Sequence, residues 1–324
     1  MYIIGNGFDL NLNLKTSYRD FYKYFIEQSS KKELVAEMKE NLDSETWADL
    51  ELALGKYTAK FDSIEAFQEA YFEISDKLVE YIHLEEKKLK LSEEKKLKLC
   101  NDLIFPESYF RLEYGKLITD YCNKWDNHNW NINIINFNYS QTIERLLDFQ
   151  AGKQYAIGSN QYGKKVTLGQ ILHIHGVAIP NETILLGVND IFQIENKSFS
   201  ENVDFLDILV KPQTNKGLRN GIDAACLQLL RNANLICIFG SSIGETDKIW
   251  WKFLGHQLKK DNCRVVYFVR EKEIIPSNRQ QFIPKKIRDC QNNILSKTGL
   301  DFTGQNQVRD NIFVGHNTDM FKLD

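Results

Sequence analysis

The sequence predicts an α/β fold: a doubly wound parallel sheet with a large helical insertion after its first strand. Three observations predict it. Tyr2-Ile3-Ile4 runs straight into Gly5-Asn6-Gly7-Phe8-Asp9, a strand that ends in a glycine turn ahead of a helix. Apolar runs of strand length return at 132–139, 171–176, 185–190, 235–240, 264–269 and 312–314, several of them closing on glycine. Between them the pattern from about residue 17 to 129 is helical, broken by a single proline, Pro106. The expected division is therefore 1–16 plus 130–324 for the sheet domain and 17–129 for the insertion.

Taken in order, the Gly-x-Gly turn lets backbone amides approach a ligand without a Cβ in the way, and it tolerates positive φ. Such a turn after a strand can cradle a pyrophosphate, although the third glycine of the full pattern is replaced by Leu10. Ser17 reads as a helix N-cap with Asp20 three residues on, and Phe21, Phe25 and Ile26 share a face. Trp47, Leu50 and Leu54 keep helical spacing, as do Tyr57, Phe61, Ile64, Phe67 and Tyr71. The tandem octapeptide at 85–92 and 93–100 reads as a solvated, ion-paired helix, with a partner-docking arm as the alternative. A polar loop is expected at about 151–165, ahead of the strand that ends in His173-Ile174-His175-Gly176.

The 43% hydrophobic content, with 20 Phe and 14 Tyr, is ample for a core, and a net charge of −3 provides no field for unspecific nucleic-acid binding. There is no long apolar run or basic leader, so neither a membrane span nor a signal peptide is expected and a cytoplasmic location is. The six cysteines are scattered and the histidines lack ligand spacing, so reduced, mostly buried thiols and no metal are expected.

Two motifs compete with the glycine turn. Gly158 to Lys164 imitates a phosphate loop, but Lys165 stands where Ser or Thr must meet magnesium, and Val166-Thr167-Leu168 looks like strand. Gly240-Ser241-Ser242-Ile243-Gly244 fits a nucleophile elbow, with Asp289 or Asp301 and His316 as partners of Ser242. A third constellation pairs Asn138, at a strand end, with His175. A carboxamide can hold a ribose hydroxyl or a water, and an imidazole can take a proton from it or orient it. Pleat alternation turns only one of His173 and His175 toward a pocket.

Ile4-Gly5-Asn6-Gly7-Phe8-Asp9-Leu10 with Lys15-Thr16-Ser17-Tyr18 and Phe21 resembles the opening of the AbiH bacteriophage abortive-infection family. Trp47 to Glu51, Phe137-Asn138-Tyr139-Ser140, Ile174-His175-Gly176 and Gly240 to Asp247 continue the likeness in order. That family is remotely similar to sirtuin-like defence domains, several of which degrade NAD. The resemblance implies a sirtuin-like Rossmann sheet and a phage-triggered NAD glycohydrolase that cleaves the nicotinamide–ribose bond. It puts Gly5, Asn6, Gly7, Phe8, Asp9, Tyr139, Gly240, Ser241, Ser242 and Asp247 around the dinucleotide, with Asn138 and His175 as catalytic residues. No four-cysteine zinc module is present, which argues against protein deacylation, and Asp9 beside a pyrophosphate leaves room for another nucleotide. Expected partners are NAD or a related nucleotide, a phage-protein trigger and a second copy of the chain. The alternatives are a non-enzymatic nucleotide sensor and a serine hydrolase using Ser242.

Overall fold

The computed structural model describes residues 1–28, 49–179, 182–270 and 281–323; Trp47 lies outside them. Seven strands form one sheet in the order β3-β4-β2-β1-β5-β6-β7: β1 Tyr2–Ile4, β2 Trp130–Asn136, β3 Tyr155–Ser159, β4 Lys165–His173, β5 Leu235–Phe239, β6 Arg264–Val269 and β7 Ile312–His316. Every pairing is parallel except β3 with β4. β1 sits between β2 and β5, with Ile3 opposite Ile135 on one side and Ile238 on the other. The chain thus builds outward from β1 one way, then returns to build the other way.

Alternation along β1 explains the two cores. Tyr2 and Ile4 face a layer holding Leu99, Leu103, Ile104, Ile118 and Phe321. Ile3 faces the opposite layer with Trp251, Leu254, Leu258 and Ile294. The helices Glu93–Ile104 and Leu112–Cys122, which lie between β1 and β2 in sequence, thereby help cover one sheet face, and the Tyr2 hydroxyl donates to the Leu103 carbonyl at 2.9 Å. The earlier helices Tyr18–Glu27, Leu50–Tyr57 and Ile64–Glu86 form a third apolar cluster with residues between Ala178 and Val210. The Ser17 hydroxyl accepts from Asp20 N as the capping pattern requires, and Phe21 and Phe25 are buried, whereas Ile26 is exposed.

Three expectations are corrected. Residues 185–190 form no strand; Val188 makes a single bridge to Val210, because its neighbours belong to a connector packed on the helix Val203–Leu209. The polar loop contains β3, and Gly158 to Lys164 is a hairpin turn in which the Asn160 carboxamide accepts from Tyr162 N and Lys164 N. The two octapeptides take different structures: the first ends the helix Ile64–Glu86 and turns, and the second is capped by Ser92 and starts the next helix. Glu85 and Glu86 are buried rather than solvated. No disulfide joins the cysteines, five of which are buried.

Candidate ligand cavity at the strand ends

Parallel strands deliver their carboxyl ends to one rim, where ligands of open α/β sheets bind. Here the loops leaving β1, β2, β4 and β5 line a single cavity of about 910 Å³. Gly5, Asn6, Gly7, Asp9, Asn138, Tyr139, His175, Gly240, Ser241, Ser242 and Asp247 all reach it. Phe8 does not: its fully buried ring packs on Phe321 at 5.4 Å between centroids, so its assignment to the ligand is corrected to the core. Such a volume is at the large end of small-molecule sites.

The glycines serve a purpose other than the expected one. Gly5 and Gly7 do not have positive φ; Gly240 does, at 71°. A Cβ on Gly7 would stand 2.5 Å from Gly240 Cα, and one on Gly5 would stand 2.7 Å from the Gly240 carbonyl oxygen. The β1 and β5 loops are therefore in backbone contact. Gly5 N donates to Phe239 O and Gly7 N to Gly240 O, both at 2.9 Å, and Phe8 N donates to Gly5 O. Those three amides already have carbonyl partners, so they are not the donors left for a ligand. In that loop Ile243 holds a left-handed φ of 56°, a strained state for a β-branched residue.

Asp9 is a clamp. Its carboxylate accepts from the Ser140 and Thr142 hydroxyls, both at 2.6 Å, and ties the β1 and β2 loops together. Burial pushes its carboxyl above the ordinary value, against those two hydrogen bonds. The Asn138 carboxamide donates to Gly5 O at 3.2 Å, which leaves its Oδ1 end to accept from a ligand. The first octapeptide joins the same framework: Glu86 accepts from Gln141 N, and its carbonyl from Arg145.

A network of four titratable groups lies on the wall opposite, where Glu51, His175 and Asp247 line the cavity and Lys211 stands behind them. His175, 4% exposed, places Nδ1 3.3 Å from the Phe137 carbonyl and Nε2 2.9 Å from Asp247 Oδ1. Lys211 donates to Asp247 and to Glu51, each at 2.8 Å. Tyr18 and Tyr139 in turn donate to Glu51. Burial opposes ionisation of Asp247, but Lys211 and His175 beside it outweigh that and hold its carboxyl well below the usual range. Burial likewise works against the Lys211 ammonium, and Asp247 and Glu51 more than offset it. Both partners of His175 are acceptors, so a proton on either ring nitrogen has one to meet.

Sequence reasoning gave Lys211, Glu51 and Tyr18 no role. Glu51 stood inside a motif; Lys211 carried no signal, since its partners are 160 and 36 residues away. His173 does not line the cavity and bridges the Asn138 carbonyl and Glu144. Asp301, one of the candidate acids for Ser242, instead caps the helix Phe302–Val308. Among the described residues no group of acidic, cysteine or histidine side chains is placed to hold a metal, and no helix is long and apolar enough to cross a membrane.

Fold and cavity define an α/β protein with a mostly parallel sheet and a large polar site at its carboxyl rim. The chain belongs to the bacteriophage abortive infection AbiH family, whose model matches residues 1–269, and this gives it a role in abortive infection by phage. The match takes in β1 to β6 and the four loops just described. No curated protein matched the chain.

Proposed function

We propose that the protein is an abortive-infection effector that hydrolyses NAD at the nicotinamide–ribose bond. What carries the reading is the meeting of Asn138, bonded to the glycine turn, with the His175–Asp247 pair in one cavity large enough for a dinucleotide. The C1′–N bond breaks with its electron pair going to the nicotinamide nitrogen, which leaves neutral, through an oxocarbenium-like state. Water then adds to C1′ and gives up a proton. Asn138 Oδ1 holds a ribose hydroxyl or that water. With both ring nitrogens facing acceptors, His175 works as an orienting and charge-stabilising group rather than a resting base. Since the amides of Gly5, Gly7 and Phe8 are committed, the phosphates fall to Asn6, Ser241 and Ser242, with Arg270 and Lys322 supplying positive charge at the cavity wall.

The test is incubation of the full chain with NAD and mass detection of nicotinamide and ADP-ribose. His175→Ala and Asn138→Ala abolish both products and the toxicity while the fold is retained. Wild-type release of nicotinamide by His175→Ala overturns the assignment of roles. A second reading, a nucleotide sensor without turnover, is favoured by the enclosure of His175 between two acceptors. Recovery of bound, intact NAD would support it.

A further inference from the structure

Behind His175 lies a second, small chamber of about 80 Å³, and His175, Thr246 and Asp247 line both it and the main cavity. Its other polar walls are Asn189, Lys211, Asn215 and Asp223, and its apolar walls include Leu227, Trp250 and Phe253. Asn215 is 7% exposed; its Nδ2 donates to Asp223 at 2.7 Å, and its Oδ1 has no protein partner. A buried acceptor without a donor is costly unless water supplies one, and the chamber has room for a few waters and the polar partners they need.

We infer that this chamber holds water and joins the His175–Asp247 pair to solvent through Asp223, a proton route that avoids the main cavity. The inference rests on His175 being a working group of the proposed site. Asp247, which lines both spaces, takes the proton from His175 Nε2 and passes it to a chamber water, which hands one of its own to the Asp223 carboxylate. Asp247 is left ionised, the water is regenerated, and Asp223, half-buried, releases the proton outside. The titratable groups facing the chamber are His175 from the β4 exit, Lys211 and Asp223 from two helices, and Asp247 from the β5 loop; the helix Lys248–Leu258 adds only apolar side chains. Burial pushes the Asp223 carboxyl above its ordinary value, while Asn215 and His175 pull it down, so it already senses the ring. With a ligand filling the main cavity, this route would remain open.

Two readouts on the full chain test it, and NAD turnover enters neither, so a failure of the hydrolase reading is told apart. Hydroxyl-radical footprinting compares Trp250, which lines the chamber, with Trp251, which does not. Trp250 should be oxidised several-fold faster, and Asn215→Leu should erase the difference. Leu227→Phe, which plugs the chamber from its apolar wall, should do the same if Asn215→Leu fails to fold. Carboxyl carbon NMR follows Asp223, whose titration should move to higher pH in His175→Gln because the cation's pull is lost. A Trp250 as protected as Trp251, or an Asp223 titration indifferent to His175→Gln, overturns the proposal.

Discussion

Lys211 is the residue on which the buried charge network turns. Removing it strands Glu51 and Asp247 together without a shared cation, and losing one partner of a buried ion pair costs about 3–5 kcal/mol. Lys211→Met should therefore lower the unfolding free energy from denaturant melts by that amount, and Glu51→Gln in the same chain should return part of it. The network also sets an acid limb. Because the folded Asp247 carboxyl is held low, its stabilisation is in place above about pH 4, the unfolded value, and is lost as pH falls through the folded value. Asp247→Asn should flatten that limb in pH-dependent melts. His173 runs the other way: burial pulls its pKa down, but Glu144 and the Asn138 carbonyl raise it overall. Its stabilisation is full below about pH 6.5 and is lost as pH rises through the folded value. Glu144→Gln should remove this alkaline decline from thermal scans.

At the scale of elements, two nearly identical octapeptides show how position overrides local sequence. Glu86 bonds the loop that presents Asn138, whereas its counterpart Glu94 sits in the exposed first turn of the next helix. Glu86→Ala should cost about 1 kcal/mol, the loss of a part-buried hydrogen bond to a charged group, and Glu94→Ala should leave the melting temperature almost unchanged. Each is checked by calorimetry. The sequence showed β1, β5, β6 and β7 because buried parallel strands are written as apolar runs, and β2 through its isoleucines at 132, 134 and 135. It concealed β3, whose Tyr155–Ser159 is an edge with mixed polarity, and it mimicked a strand at 185–190, where apolar residues serve a connector. The glycine turn was legible as a turn. That its glycines answer to Gly240 was not, since a contact across more than two hundred residues leaves no local trace.

For the molecule as a whole, the proposed ligand should stabilise the folded chain by mass action, about 2.7 kcal/mol at a hundredfold excess over Kd. A melting temperature that does not move with NAD, in a titration reaching millimolar nucleotide, would count against the dinucleotide. The candidate residues were found from the strand exits because a parallel sheet gathers such exits by geometry alone. The charged wall was not found, because Glu51, Lys211 and Asp247 arrive from three unrelated segments and nothing in any one of them announces the others.

The placement of β1 has a bearing on synthesis at the ribosome. The first strand to be made finds its neighbours only at Ile134 to Asn136 and at Cys237 to Phe239, so it waits for most of the chain before it is flanked on both sides. Contacts this distant in sequence close slowly. The cavity, which needs Gly240 against Gly7, therefore cannot be assembled on a growing chain until β5 and its loop have emerged. Translation halted early in an infected cell would release fragments that lack the pocket altogether.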